Sequence, residues 1–174
     1  MTWTIDASHS HIGFAVRHMV VSTVRGQFNA VRGTLNLDEA NLAASWVEAE
    51  ADAASIDTHD ANRDGHLRSA DFFDVEKFPK ITFKSTNVEN DSGDYKVTGD
   101  LTIHGVTKPV TFAVEYSGFV RDPYGLDRAG FSAQTKINRK DFGLTWGPVL
   151  EAGGAVVSDE VKINLEFEAT QQPA

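Results

Sequence analysis

Tyr95-Lys96-Val97-Thr98-Gly99-Asp100-Leu101-Thr102-Ile103-His104-Gly105-Val106-Thr107-Lys108-Pro109-Val110-Thr111-Phe112-Ala113-Val114-Glu115-Tyr116 is the stretch that decides the fold. In its first half Tyr95, Val97, Gly99, Leu101 and Ile103 alternate with polar residues, and after the His104-Gly105 turn Val110, Phe112, Val114 and Tyr116 do the same. A period of two is the mark of a strand with one face buried and one face wet, so this stretch reads as a long hairpin. Working outward toward the C-terminus, Phe131, Ala133, Thr135 and Ile137 form one more such face. Val161, Ile163, Leu165 and Phe167 form another, with Lys162, Asn164, Glu166 and Glu168 turned to water. Toward the N-terminus, Ile12, Phe14 and Val16 share a face. Gly26 to Leu37 and Trp46 to Ile56 continue the scheme across an Asp38-Glu39-Ala40-Asn41 turn, and Ile81 with Phe83 opens a strand after Pro79. The fold class is therefore all-β. About eight strands of about ten residues fit a closed eight-stranded antiparallel barrel, which has no exposed edge and can hold one ligand, with a two-sheet sandwich as the alternative. The length, 174 residues, fits one domain spanning 1–174.

One segment departs from the pattern. Asp60-Ala61-Asn62-Arg63-Asp64-Gly65-His66-Leu67-Arg68-Ser69 is too polar for a buried strand and suits a short helix, with Asp64 and Arg68 at the favourable i, i+4 spacing. Asp71-Phe72-Phe73-Asp74 then reads as a capped turn whose two aromatics can plug a barrel end. Together they predict a helical lid over about 58–78. The same segment matches a calcium loop at Asp60, Asn62, Asp64, Gly65 and Asp71, but the flanking helices such a loop requires are missing, which favours a structural helix.

Other chemistry is sparse. His9 and His11 form a His-x-His pair that would share a strand face and could begin a metal site, but His18, His59, His66 and His104 do not obviously converge on it, so no metal is assigned. Gly130-Phe131-Ser132-Ala133-Gln134 lacks the last glycine of a nucleophile elbow, and Gly153-Gly154 is an isolated pair better read as a turn. There is no cysteine, hence no disulfide or thiolate. A net charge of -9 argues against nucleic acid and against anionic lipid surfaces as partners. The N-terminus shows no leader and no run of apolar residues spans a bilayer, which points to a cytoplasmic protein. What remains is apolar surplus: Phe14, Val16, Phe28, Leu101, Ile103, Phe112 and Phe131 on the inward face, with small Ala49, Ala51 and Ala53 leaving room. Such an interior is either a fully packed core or a ligand cavity.

Particular residues carry a resemblance. Trp3-x-Ile5-Asp6-x-x-His9-Ser10-x-Ile12-x-Phe14-x-Val16-x-His18, Ser55-Ile56-Asp57-Thr58, the Arg63 to Asp74 segment with Phe78-Pro79, Gly99-x-Leu101-Thr102-Ile103-x-Gly105, Ile137-x-Arg139-x-Asp141-Phe142-Gly143 and Val161-x-Ile163 appear in this order over nearly the whole chain. They resemble the YceI-like family of bacterial lipid-binding proteins. The resemblance implies a lipocalin-like eight-stranded barrel with a helical excursion, often dimeric, that holds a polyisoprenoid such as a polyprenyl phosphate or a quinone tail. It favours the filled cavity, and it supplies no catalytic residue set.

The resulting expectation is a binding protein, not an enzyme, that carries or stores a long-chain polyisoprenoid lipid, with Phe14, Val16, Phe28, Ala51, Phe83, Leu101, Ile103, Phe112, Phe131 and Trp146 as its lining. Arg63, His66, Arg68 and Arg139 are candidates to hold a phosphate or quinone head group at the mouth; in the alternative, Arg63 and Arg68 pair with Asp64, Asp71 or Asp141 and tie the lid to the barrel. The rivals are a metal- or histidine-dependent enzyme using His9, His11 or His18, and a packed, stress-associated dimer with no ligand.

Overall fold

Eleven strand segments and one helix make up residues 2–147 and 157–171, the part of the chain that the computed structural model describes. The strands are β1 (Trp3–Ile5), β2 (His11–His18), β3 (Ser22–Phe28), β4 (Val31–Asn36), β5 (Trp46–Asp52), β6 (Ile56–Asp57), β7 (Lys80–Asp91), β8 (Asp94–Ile103), β9 (Val106–Arg121), β10 (Asp127–Asn138) and β11 (Val157–Gln171); α1 (Ala61–Arg68) lies between β6 and β7. Tight turns set several registers. His104-Gly105 and Ser92-Gly93 both carry positive φ, the backbone that a two-residue hairpin turn of right-handed twist requires.

The ladder closes on itself. β4, β5, β7, β8, β9, β10 and β11 pair in that order, and β1 pairs with both β4 and β11. β2 continues β1 along β11, β3 continues β4 along β2, and β6 continues β5 along β3. The segments therefore form a closed, antiparallel, eight-strand barrel whose first three strands are each broken in two. The sandwich is excluded. The breaks fall at 3-10 turns, Ala7–His9 and Ala53–Ser55, and at the two residues between β3 and β4, so Gly26 to Leu37 and Trp46 to Ile56 are not continuous strands. The composition of Thr170 to Ala174 suggests a loose tail, but its first two residues, Thr170 and Gln171, are ladder residues facing Arg128 and Asp127, and the rest lies outside the described residues.

Glycine lets aromatic rings lie against the inner wall. A Cβ on Gly26 would come within 2.4 Å of Phe14 Cζ, and one on Gly99 within 2.6 Å of Phe83 Cζ. Buried clusters pack at the two ends of the barrel: Leu101, Ile103, Phe142 and Leu144 near α1, and Ile5, Leu35 and Ala169 at the other end.

α1 is too short and too polar to persist alone, and specific bonds hold it. Asp60 caps it by accepting from the Asn62 and Arg63 amides. Asp64 is buried and accepts from the Thr58 amide at 2.9 Å and its hydroxyl at 2.5 Å, so it does not pair with Arg68. Among the described residues no helix is long and apolar enough to cross a membrane.

An ionic clamp locks the seam where the chain ends meet. Arg128 on β10 donates to Asp6 at 2.9 Å, to Glu168 on β11 at 3.2 Å and to Asp122 at 2.7 Å. Hydrogen bonds from Ser8, Arg128 and His9 hold the Asp6 carboxyl well below the usual carboxylate range. Because its pKa is depressed in the folded state, the contribution of Asp6 is whole above about pH 4 and is lost as pH falls through the folded value. The urea midpoint should therefore drop as pH is lowered from about 4 toward about 2. Arg128→Met should lower it already at pH 7 and flatten the acid limb; an unchanged acid limb in that variant would show that the clamp is not its source.

Candidate ligand cavity

The inward side chains surround a void. Val161, Ile163, Leu165 and Phe167 on β11 all point into the barrel, yet each is only half-buried, as are Phe14, Val16, Phe83, Val97 and Phe131. Residues in a packed core at such positions would lose nearly all their exposure. Here they face a cavity of about 280 Å³. Tyr95 and Ile103, eight residues apart on β8, both line it. At about 3.3 Å per residue and the usual strand tilt, it runs about 20 Å along the barrel axis. That volume over that length is about one hydrocarbon chain wide.

Nine of the ten residues expected as lining are on this wall: Phe14, Val16, Phe28, Ala51, Phe83, Leu101, Ile103, Phe112 and Phe131. Their aromatic faces contact one another, with Phe14–Phe28 at 5.7 Å and Phe83–Phe112 at 5.2 Å between ring centroids. Trp146 stands outside the wall. It packs edge-on against His66 at 4.7 Å and beside Phe72 at 5.2 Å, joining α1 to the segment after Phe142. Alternation also pointed to Tyr95 and Ala133, which line the cavity. Ile56, Leu67 and Leu144 line it too, from short or irregular segments where no period marks an inward face. Trp46, 36% exposed, stands on the wall near the Leu37–Ser45 side.

The polar residues expected at the mouth have other work. Arg63 donates to the Thr58 hydroxyl and carbonyl, both at 2.8 Å, and Arg68 to the carbonyls of Ala54 and Ile56 at 2.9 and 3.1 Å. His66 is bonded to Asp71 at 2.8 Å. These three stand outside the wall and fasten the α1 excursion. The two arginines do so through backbone carbonyls and the Thr58 hydroxyl, and not through the carboxylates of Asp64, Asp71 or Asp141.

Arg139 does line the cavity, at 4% exposure. Its guanidinium donates to four carbonyls, those of Leu144 at 2.6 Å, Trp146 at 2.7 Å, Ser158 at 3.0 Å and Val157 at 3.2 Å. Burial pushes its pKa down. A Cβ on Gly147 would sit 3.0 Å from its Nη2, so glycine permits the chain to wrap this closely. Among the described residues the carboxylate that approaches it is Asp159, 3.8 Å away. Arg139 is thus a staple between the 144–147 segment and the start of β11.

The other motifs resolve into structure. α1 occupies the would-be calcium loop, and its Asp60 and Asp64 carboxylates serve as cap and clasp. His9 lies in a 3-10 turn while His11 begins β2, so the pair does not share a strand face. Asp6, His9 and Glu168 converge, but the Arg128 guanidinium already sits on Asp6 and Glu168 as their cation. Ser132 lies within β10, and Gly153-Gly154 lies outside the described residues.

The profile of the YceI-like domain matches residues 3–169. The chain belongs to the YceI-like family. Protein YceI of Escherichia coli is 42% identical to it over 167 residues, covering 96% of this chain and 84% of the relative. The YceI-like barrel also superposes on the crystal structure of Burkholderia cenocepacia BcnA with a TM-score of 0.83 and 25% identity, covering 94% of this chain and 98% of that one. A further structure, described as a polyisoprenoid binding domain from Saccharophagus degradans, shares the fold at a TM-score of 0.66 and 17% identity over 98% of each chain.

Arg139→Met removes four carbonyl partners in a buried corner, and leaving such groups unpaired costs about 1–3 kcal/mol each before relaxation. Chemical denaturation should show a loss of at least about 2 kcal/mol. A variant of unchanged stability would mean that the guanidinium does not staple this corner.

Proposed function

We propose that this YceI-like barrel binds and carries, or stores, one long-chain polyisoprenoid or closely similar amphipathic lipid along its axis. The observation that carries the reading is the row of inward apolar side chains left half-exposed around a continuous void. Energetics support it. At about 24 cal/mol per Å³, an unfilled cavity of about 280 Å³ forgoes about 7 kcal/mol of packing, comparable to the whole net stability of a domain. A hydrocarbon chain recovers that loss at about 0.8 kcal/mol per buried methylene, whereas water gains little against walls with few polar partners.

The wall chemistry narrows the cargo. Phenylalanine faces at positions 14, 28, 83, 112 and 131 alternate with small Ala49, Ala51 and Ala133, which suits a flexible, branched, unsaturated chain better than a rigid ring system. Of the two charged residues on the wall among the described residues, Glu50 is paired outside with Arg32, and Arg139 is committed to carbonyls. Directional contacts inside are therefore few, and selectivity rests on length and shape.

Titration with a long prenyl alcohol, followed by quenching of tryptophan fluorescence, tests the reading. The wild-type chain should bind about one equivalent. Ala133→Phe, which fills part of the void from a half-buried wall position, should weaken binding by about tenfold or more while leaving the urea midpoint unchanged or raised. Unweakened binding in a folded Ala133→Phe variant would contradict the assigned cavity.

A further inference from the structure

The net charge of -9 conceals an asymmetry. Between Asp6 and Asp38 there is no Asp or Glu, while Arg17, Arg25, Arg32 and three histidines fall in that span. Arg32 is paired with Glu50 and Asp52. Arg17 and Arg25 lie on β2 and β3, and among the described residues neither is paired with a carboxylate.

The hairpin these two strands make is unusual at its tip. Met19, Val20 and Val21 are 41%, 56% and 80% exposed. Met19 and Val20 have φ of 55° and 67°, a left-handed backbone that a β-branched side chain tolerates poorly. Elsewhere among the described residues the non-glycine positions with this backbone, His59, Asp74, Ser92 and His104, carry no β-branched side chain, and Gly93 and Gly105 complete the two tight hairpins. Arg17 fixes the tip by donating to the Val20 carbonyl at 2.7 Å and the Thr23 hydroxyl at 3.1 Å. The hairpin also projects: β3 pairs with β6 only at Gln27 and Phe28, so Ser22 to Gly26 extend past the end of that strand. Local strain that holds apolar side chains in water is not explained by folding, and such violations concentrate at functional sites.

We propose that the β2–β3 hairpin docks the barrel onto an anionic lipid surface, Met19, Val20 and Val21 inserting among the acyl chains while Arg17 and Arg25 meet the head groups. A three-residue apolar tip is far smaller than the area a stable protein partner buries, but it suits shallow insertion combined with charge attraction. The choice of a bilayer over other apolar partners rests on the lipid-binding reading, since a cargo insoluble in water must be collected from a membrane. A second exposed apolar group among the described residues, Phe119, Val120 and Tyr124, lies at the opposite end of the barrel, where the neighbouring Arg121 is already paired with Asp127.

Co-sedimentation with vesicles of phosphatidylglycerol and phosphatidylcholine at low salt tests the docking, with prenyl alcohol titration in the absence of vesicles read separately. The wild-type chain should prefer the anionic vesicles and lose that preference at high salt. Arg25→Gln should weaken binding about fivefold. Val20→Asn combined with Val21→Ser should weaken it about tenfold or more while raising or preserving the urea midpoint, because asparagine accepts the left-handed backbone. Val120→Ser should leave it unchanged. A tip variant that binds vesicles like the wild type overturns the proposal, as does a tip substitution that changes only the oligomeric state in sedimentation. Loading without docking overturns the docking alone; docking without loading overturns the cargo reading alone.

Discussion

Where β11 meets β1 and β2, the last strand of the chain hydrogen-bonds to the first, from Thr4 against Thr170 to His18 against Val157. Without that seam the sheet would keep two open edges, and its apolar face would have to collapse onto itself or onto a second layer. With it, every inward side chain is fixed at a radius set by strand number and tilt, and the two sides of the barrel cannot approach. The Arg128 clamp across Asp6, Glu168 and Asp122 lies at one end of the seam, and the Arg139 staple at the other.

The hollow interior follows from closure. A barrel of this size is wide enough that its inward residues fill the space only if most are large, and here Gly26, Gly99, Ala49, Ala51 and Ala133 keep parts of the wall thin while the Phe14 and Phe83 rings come up against the two glycines. The ends are packed, and α1 with Phe72 and Phe73 covers one of them. The middle is left for something else to fill.

The sequence made the strands and their inward parity legible because period two is a direct consequence of pleat geometry. Phe14, Val16, Leu101 and Phe131 fell on the cavity wall for that reason alone. Three things were hidden. The breaks in the first three strands leave alternation intact on either side of short 3-10 turns, so Gly26 to Leu37 reads as one strand. Trp146 sits in an irregular segment where apolar character does not say inside or outside, and it packs on His66 instead. A structural role was one of two open readings for Arg63 and Arg68 and was not foreseen for Arg139, and the partners were hidden in each case: a carboxylate is visible in a sequence, whereas a carbonyl left without a ladder partner where a strand begins, as at Ile56 or Val157, appears only in the fold.

Family membership and geometry are separate supports for the account. The YceI-like match fixes the barrel, while the half-buried inward rows on β2, β10 and β11 say that this chain's own barrel is hollow. Native mass spectrometry of the protein purified without detergent tests that claim most directly. A filled barrel should appear as a species heavier than the bare chain by one apolar lipid per barrel, which collisional activation or solvent extraction releases. A folded barrel that flies at the mass of the bare chain, from more than one expression host and after exposure to prenyl lipid, would contradict it.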